Sequence, residues 1–255
     1  MSAASTGPAS WLAIGQGVAR YTQAEAETVL AGFAFGVTQL RWSSKAAPSG
    51  DQLLAAQPRT AARSMWAYRT YDCLPNSPYA FGMTDLLAVA ALDARADGVD
   101  YLAMEAILPD LNEALTHVDV TQTFWALPRE HLGTTPPLEG TPSWWLWRAW
   151  VLLMGLHDVG VAITYKTLHH KRPWFFPIFD NETVAKMGGN SAWQVLHDEL
   201  TSQATQFTHL EQWFAGEATK RGGVHLTWLR IHDILLWGSG AQRGALTRAG
   251  QGVLG

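Results

Sequence analysis

The stretch MGLHDVGVAITYKTLHHKRPWFFPIFDNETV, residues 154–184, decides how this chain is read. Apolar residues run to Leu156, and His157-Asp158-Val159-Gly160 supplies a tight turn. From Val161 the pattern is helical again, through Thr164, Lys166, Thr167 and Leu168. Two helices joined so closely form an αα-hairpin. Gly160 then opens the second helix, where unpaired N–H groups point outward and favour anions. Spacing alone leaves two readings open: a phosphate or carboxylate grip at Val159, Gly160, Thr164 and Lys166, or a turn that only packs two core helices.

The second half of the stretch, KRPWFFPIFDNETV, is stiffened by Pro173 and Pro177. Trp174, Phe175, Phe176 and Phe179 surround Asp180 in sequence. A carboxylate in a partly dry aromatic loop is costly unless paired. Asp180 either lines a site or caps the helix that runs through Val184, with its carboxylate on backbone N–H groups.

Working outward, helical period dominates. Thr22 to Glu25 is a capping-box pattern opening AEAETVLAGFAF. Residues 37–60, rich in Ser, Pro and Gly, read as a long connection. Thr84 is the expected cap of DLLAVAALDARA, ending near Gly98. Pro109 is expected to start a new first turn within AMEAILPDLNEALTHV. VTQTFWALPREHL reads as a short helix or turn. Residues 133–143, GTTPPLEGTPS, are the clearest loop and a candidate hinge, followed by a Trp-rich helix over about 142–156. Ser191, a second capping box at Thr208 to Glu211, and Thr227 are expected to open three more helices. No stretch alternates with period two over a convincing length. The expectation is an all-α fold: one domain over 11–240 with a lobe boundary near 133–143, a disordered tail at 1–10 and a flexible tail at 241–255.

Composition narrows the function. The 255 residues carry a net charge of −4 and a pI of about 6.1. A dedicated nucleic-acid binder usually has a basic excess, because phosphate neutralisation carries most of its affinity. Cys73 is the single cysteine, which excludes a disulfide framework and a Cys-based zinc site and fits a reducing, cytoplasmic setting. The opening MSAASTGPAS has no positive segment and reads as a frayed tail rather than a signal peptide. The longest apolar run, residues 144–156, is too short to span a bilayer and carries Arg148, so no membrane partner is expected. His169 and His170 are sequential and point to different sides of a helix, and His157-Asp158 and His232-Asp233 lack a third group, so no metal is expected. There is no P-loop, dinucleotide glycine pattern or nucleophile elbow, and no cofactor is expected. Thirteen Trp serve cores, interfaces or flat-ligand stacking. Tyr71, in YRTYDCLPNSPYAF, lines a pocket or belongs to a polar turn.

The opening stretch resembles the helix-hairpin-helix DNA glycosylase superfamily. That family has a Leu-Pro-Gly-Ile/Val-Gly hairpin, a Thr-Ala helix, and a Val-Asp-Thr-His-Val-like segment whose Asp is catalytic and lies twenty residues after the second Gly. Here 180 − 160 is also 20. Leu156, Val159 and Gly160 fall on the hairpin positions, Ile163-Thr164 on the Thr-Ala positions, and DNETV on the Asp segment. The stretch KTLHHKRPWFFPIFD is also similar to an uncharacterised actinobacterial family with a Lys-Arg-Pro…Pro-x-x-Asp motif.

The resemblance implies two helical halves around a cleft and N-glycosidic cleavage in DNA or a nucleoside-like small molecule. Asp180 would stabilise an oxocarbenium-like transition state and orient water. Trp174, Phe175, Trp147 and Tyr71 would contact a flat base, and Lys171 and Arg172 a phosphate or carboxylate. The basic pair is equally read as complementing a helix C-terminus. Two departures matter. His157-Asp158 replaces Pro-Gly, placing a negative charge where a DNA phosphate would approach. Ala162 stands where bifunctional members have a Schiff-base Lys, so lyase chemistry is not expected. The alternatives are a non-catalytic helical binding protein and another small-molecule enzyme using Asp180 as general base.

Overall fold

The computed structural model describes residues 10–38, 63–64, 67–92 and 101–255. The expected tail before Ser10, most of the expected connection at 37–60, and the helix end near Gly98 lie outside the described residues. The fold is all-α, with ten α-helices and two small two-stranded sheets among the described residues.

The chain enters through an antiparallel hairpin, β1 (Leu12–Ile14) and β2 (Ala19–Tyr21), with Leu12 opposite Tyr21 and Ile14 opposite Ala19. Three-residue strands are too short to print a period-two alternation in the sequence. Their turn is held from outside. Gly15, Gln16 and Gly17 all have positive φ, and Glu199 accepts from the Gly15 and Gln16 N–H groups at 3.0 and 2.7 Å. A second short pair joins β3 (Val37–Thr38) to β4 (Arg63–Ser64).

Helix α1 (Gln23–Phe35) starts with the expected capping box. Helix α2 (Met83–Ala88) begins two residues earlier than a cap at Thr84 predicts. Gly82 is its N-cap, and Asp85 accepts from the Gly82 N–H at 2.9 Å. Helix α3 (Tyr101–Thr116) runs unbroken through Pro109 rather than restarting there. Its buried Met104, Leu111, Ala114 and Leu115 tie both halves to the core, which offsets the lost backbone bond. After two 3-10 turns, over Phe124–Ala126 and Arg129–Leu132, comes the Trp-rich α4 (Pro142–Met154), capped by Thr141.

Helices α5 (Val161–Lys171) and α6 (Asn181–Lys186) carry the decisive stretch. Then follow α7 (Ala192–Ser202), α8 (Ala204–Lys220) and α9 (Trp228–Gly238). Ser191 precedes α7 without a side-chain cap bond, whereas Thr227 does cap α9, accepting from the Arg230 N–H. The capping box expected at Thr208 is overturned, because α8 starts at Ala204 and passes through it. Packing of Phe207, Leu210 and Phe214 sets the true start.

The expected flexible tail at 241–255 is also overturned. Residues Arg243–Leu254 form α10, docked along α1. Gly32 and Gly250 make the close approach possible: a Cβ on Gly250 would sit 1.9 Å from the Thr28 carbonyl oxygen, and one on Gly32 2.0 Å from that of Leu246. One continuous apolar core runs from Leu12 to Leu246, with members on both sides of residues 133–143. No helix among the described residues is long and apolar enough to cross a membrane.

Candidate functional site

The hairpin forms as the spacing predicts. Helix α4 ends at Met154, Asp158 takes φ of 59°, and Gly160 is the N-cap of α5. Asp tolerates the left-handed region better than most residues. Only part of the expected grip faces solvent. Gly160 is exposed, Val159 is buried, and Thr164 is fully buried in the body of α5. At the tip His157 Nδ1 pairs with Asp158 Oδ2 at 2.9 Å, both exposed.

Lys171 and Arg172 are not at a surface. Lys171 is 2 % exposed and donates to the Ser77 carbonyl at 2.7 Å and to Asp85 Oδ2 at 2.8 Å. His170 Nδ1 meets Asp85 Oδ1 at 2.9 Å. Burial would raise the Asp85 pKa, but bonds from His170, Lys171 and the Gly82 backbone outweigh it and hold the carboxyl low. Arg172 donates to the carbonyls of Pro78, Val118 and Leu115 at 2.9, 2.7 and 2.8 Å. The pair ties the loop at Ser77 and Pro78, helix α2 and the end of α3 to the end of α5, and the substrate-binding expectation for it is corrected on that ground.

Lys166, five residues into α5, points elsewhere. It lines a cleft of about 520 Å³ together with Phe33 of α1, Phe179, Asp180, and Arg230, Asp233 and Trp237 of α9. Its ammonium donates to the Leu92 carbonyl at 3.0 Å. Asp180 does both things the sequence allows. It is the N-cap of α6, with Oδ1 accepting from the Thr183 N–H at 2.8 Å and from its hydroxyl at 3.0 Å. It is also partly exposed on the cleft. Among the described residues no hydrogen bond uses its Oδ2.

Sequence reasoning missed Arg230 and Asp233, which share the cleft with Asp180. Arg230 is 4 % exposed, forms a two-pronged pair with Asp72 at 2.7 and 3.0 Å, and reaches Asp233 at 2.5 Å. Its guanidinium lies 5.1 Å from the Phe33 ring centroid and 5.3 Å from that of Tyr71. A cation so desolvated and so paired stays charged, and the flanking carboxylates push its pKa further up against the effect of burial. Asp233 is different. Burial pushes its pKa up to about 6; Arg230 opposes this, the charge on Asp180 adds to it, and Lys166 opposes it. The one available signal was two charges three apart on the otherwise apolar WLRIHDILLWG.

The remaining expected contacts scatter. Tyr71 is buried behind the cleft, its hydroxyl on the Lys166 carbonyl at 2.6 Å. Trp174, 46 % exposed, fronts a separate cavity of about 60 Å³ that Tyr71 also lines. Phe175 is core. Trp147 fronts another cavity, of about 430 Å³. Of the expected site residues, Asp180 and Lys166 are the two that the main cleft brings together.

The model of a family of unknown function, DUF6308, matches residues 53–240, most of the chain. The chain belongs to the DUF6308 family. Asp72, Lys166, Asp180, Arg230 and Asp233 all fall within the DUF6308 match, whereas Phe33 and the α10 helix lie outside it. No curated protein and no solved structure matches the chain.

Proposed function

We propose that this DUF6308 protein hydrolyses the N-glycosidic bond of a small nucleoside-like substrate in the cleft between α5, α6 and α9. The observation that carries the reading is two carboxylates of unlike environment, Asp180 and Asp233, on one cleft with aromatic walls. A buried carboxyl raised toward neutrality is suited to the general-acid role. Asp233, with its pKa near 6, keeps a proton for part of the neutral range and gives it to the departing base nitrogen as the bond to the anomeric carbon breaks. The Asp180 carboxylate faces the positive charge left on the sugar. Water adds its hydroxyl to the anomeric carbon and its proton to Asp180, and solvent exchange restores both carboxyls. Phe33, Phe179 and Trp237 offer apolar faces for the base.

A small substrate is favoured over DNA. Lys171 and Arg172 spend their donors inside the protein, and the hairpin tip presents Asp158. The cap bonds of Asp180 support the other reading, a helical binding protein in which this residue only starts α6. Incubating the protein with nucleosides and with base-modified DNA, and assaying free base, separates the readings. Release of base from nucleosides, lost in Asp180→Asn, is the expected result. Turnover unchanged in that folded variant removes Asp180 from the chemistry.

A further inference from the structure

Behind Phe179 lies a second cavity, of about 430 Å³. Phe179 fronts the carboxylate cleft and meets Tyr165 edge-on, ring centroids 5.1 Å apart. Tyr165 fronts the second cavity. The two spaces are therefore separate rooms that share an aromatic partition. Three indoles stand in the wall of the second: Trp147 and Trp150 from α4 and Trp193 from α7. Trp150 and Trp193 stand at 80° to each other with centroids 6.3 Å apart. None of its described lining residues is charged.

The polar inventory is unbalanced. Trp193 Nε1 donates to the Tyr165 oxygen at 2.8 Å. The buried Trp150 Nε1 is turned to the same oxygen but has no partner in hydrogen-bonding geometry. The phenol oxygen is thus an acceptor, and its own proton has no acceptor among the described residues. Burial raises the phenol pKa against the effect of the two indoles, so that proton is retained. A buried donor left unmade is costly, and a ligand acceptor relieves the cost.

We propose that this cavity binds a small neutral ligand built on a planar aromatic ring with one hydrogen-bond acceptor, the ring on the indoles and the acceptor on the Tyr165 hydroxyl. An anion would sit in an uncharged lining without a partner, and a cation would leave the phenol proton without an acceptor. A purely apolar ring would leave the phenol proton unspent. Trp147 and Trp193 are partly exposed, which gives the ligand a way in. The site stands apart from Asp180, and the proposal does not depend on hydrolysis in the cleft.

Calorimetry and ligand-observed NMR with nicotinamide and hypoxanthine test it, with toluene and tetramethylammonium as the acceptor-free and cationic probes. The acceptor-bearing rings are expected to bind. Trp147→Ala and Tyr165→Phe should each weaken that binding about tenfold or more, and Asp180→Asn should leave it unchanged. Trp147 is partly exposed, so its variant tests the site even where the buried Tyr165→Phe fails to fold. Three results overturn the proposal: neither ring binds, tetramethylammonium or toluene binds as well as they do, or binding is lost in Asp180→Asn and kept in both aromatic variants.

Discussion

Asp180 holds two duties that substitution separates. As an N-cap it is replaceable by Asn or Ser, which accept the same Thr183 N–H bond. Its Ala variant loses the cap at a cost of about 1 kcal/mol. Under the proposed chemistry, Asp180→Asn therefore keeps its urea midpoint while base release stops, and Asp180→Ala loses both. A residue that only capped would show the stability loss alone. Asp233 predicts a pH limb. As the acid with a pKa near 6, it makes kcat/KM fall about tenfold per unit above pH 6. The low residual rate of Asp233→Asn should lack that limb. The same shift bears on stability. A carboxyl whose pKa is higher folded than unfolded contributes stability that is full below the unfolded value of about 3.8 and lost as pH rises through about 6. Wild-type stability, measured against Asp233→Asn by urea melts, should thus decline between those limits and level off above them. Asp85, held low, works with the opposite sign, losing its contribution as pH falls.

At the level of elements, the end of α5 and the α1–α10 pair are where the structure departs most from the sequence reading. The α4–turn–α5 hairpin was legible because its signals are local: an apolar run, a turn, and a glycine at a helix start. The direction of Lys171 was not, because its partner Asp85 lies 86 residues away in the chain (171 − 85). Lys171→Ala would leave Asp85 with a weaker set of partners in a dry site, and a loss of about 3–5 kcal/mol is expected in a denaturant melt. If the ammonium served substrate instead, KM would rise with stability unchanged. Helix α10 was illegible for another reason. RGALTRAGQGVL has small residues and three glycines, a poor helix on propensity, and it forms because α1 offers a matching groove. Gly250→Ala drives a methyl against the Thr28 backbone. Since neither side is a flexible side chain, the cost should reach about 1–3 kcal/mol, read as a lower melting temperature.

For the whole molecule, one carboxylate was legible and the second was not. Asp180 announced itself by its distance from Gly160 and by its aromatic surroundings. Asp233 looked like one half of a weak His-Asp pair, and acquires its environment only when α9 crosses behind α6 and places Arg230 between Asp72 and Asp233. The two buried ion clusters, Lys171 with Asp85 and Arg230 with Asp72 and Asp233, keep both cations inside with carboxylates of their own, in a chain whose net charge is −4. That bears on partner choice. Each phosphate neutralised by a protein cation steepens the loss of affinity with salt. With Lys171 and Arg172 internal and Asp158 at the hairpin tip, few cations remain near the hairpin for a duplex. Titration of duplex DNA by fluorescence anisotropy should show only weak association at low ionic strength and none at about 0.15 M salt. Excess DNA should also leave nucleoside hydrolysis unslowed. Tight, salt-steep binding would place a basic surface on the molecule that the described residues around Gly160 do not supply, and would return the substrate to the polymer.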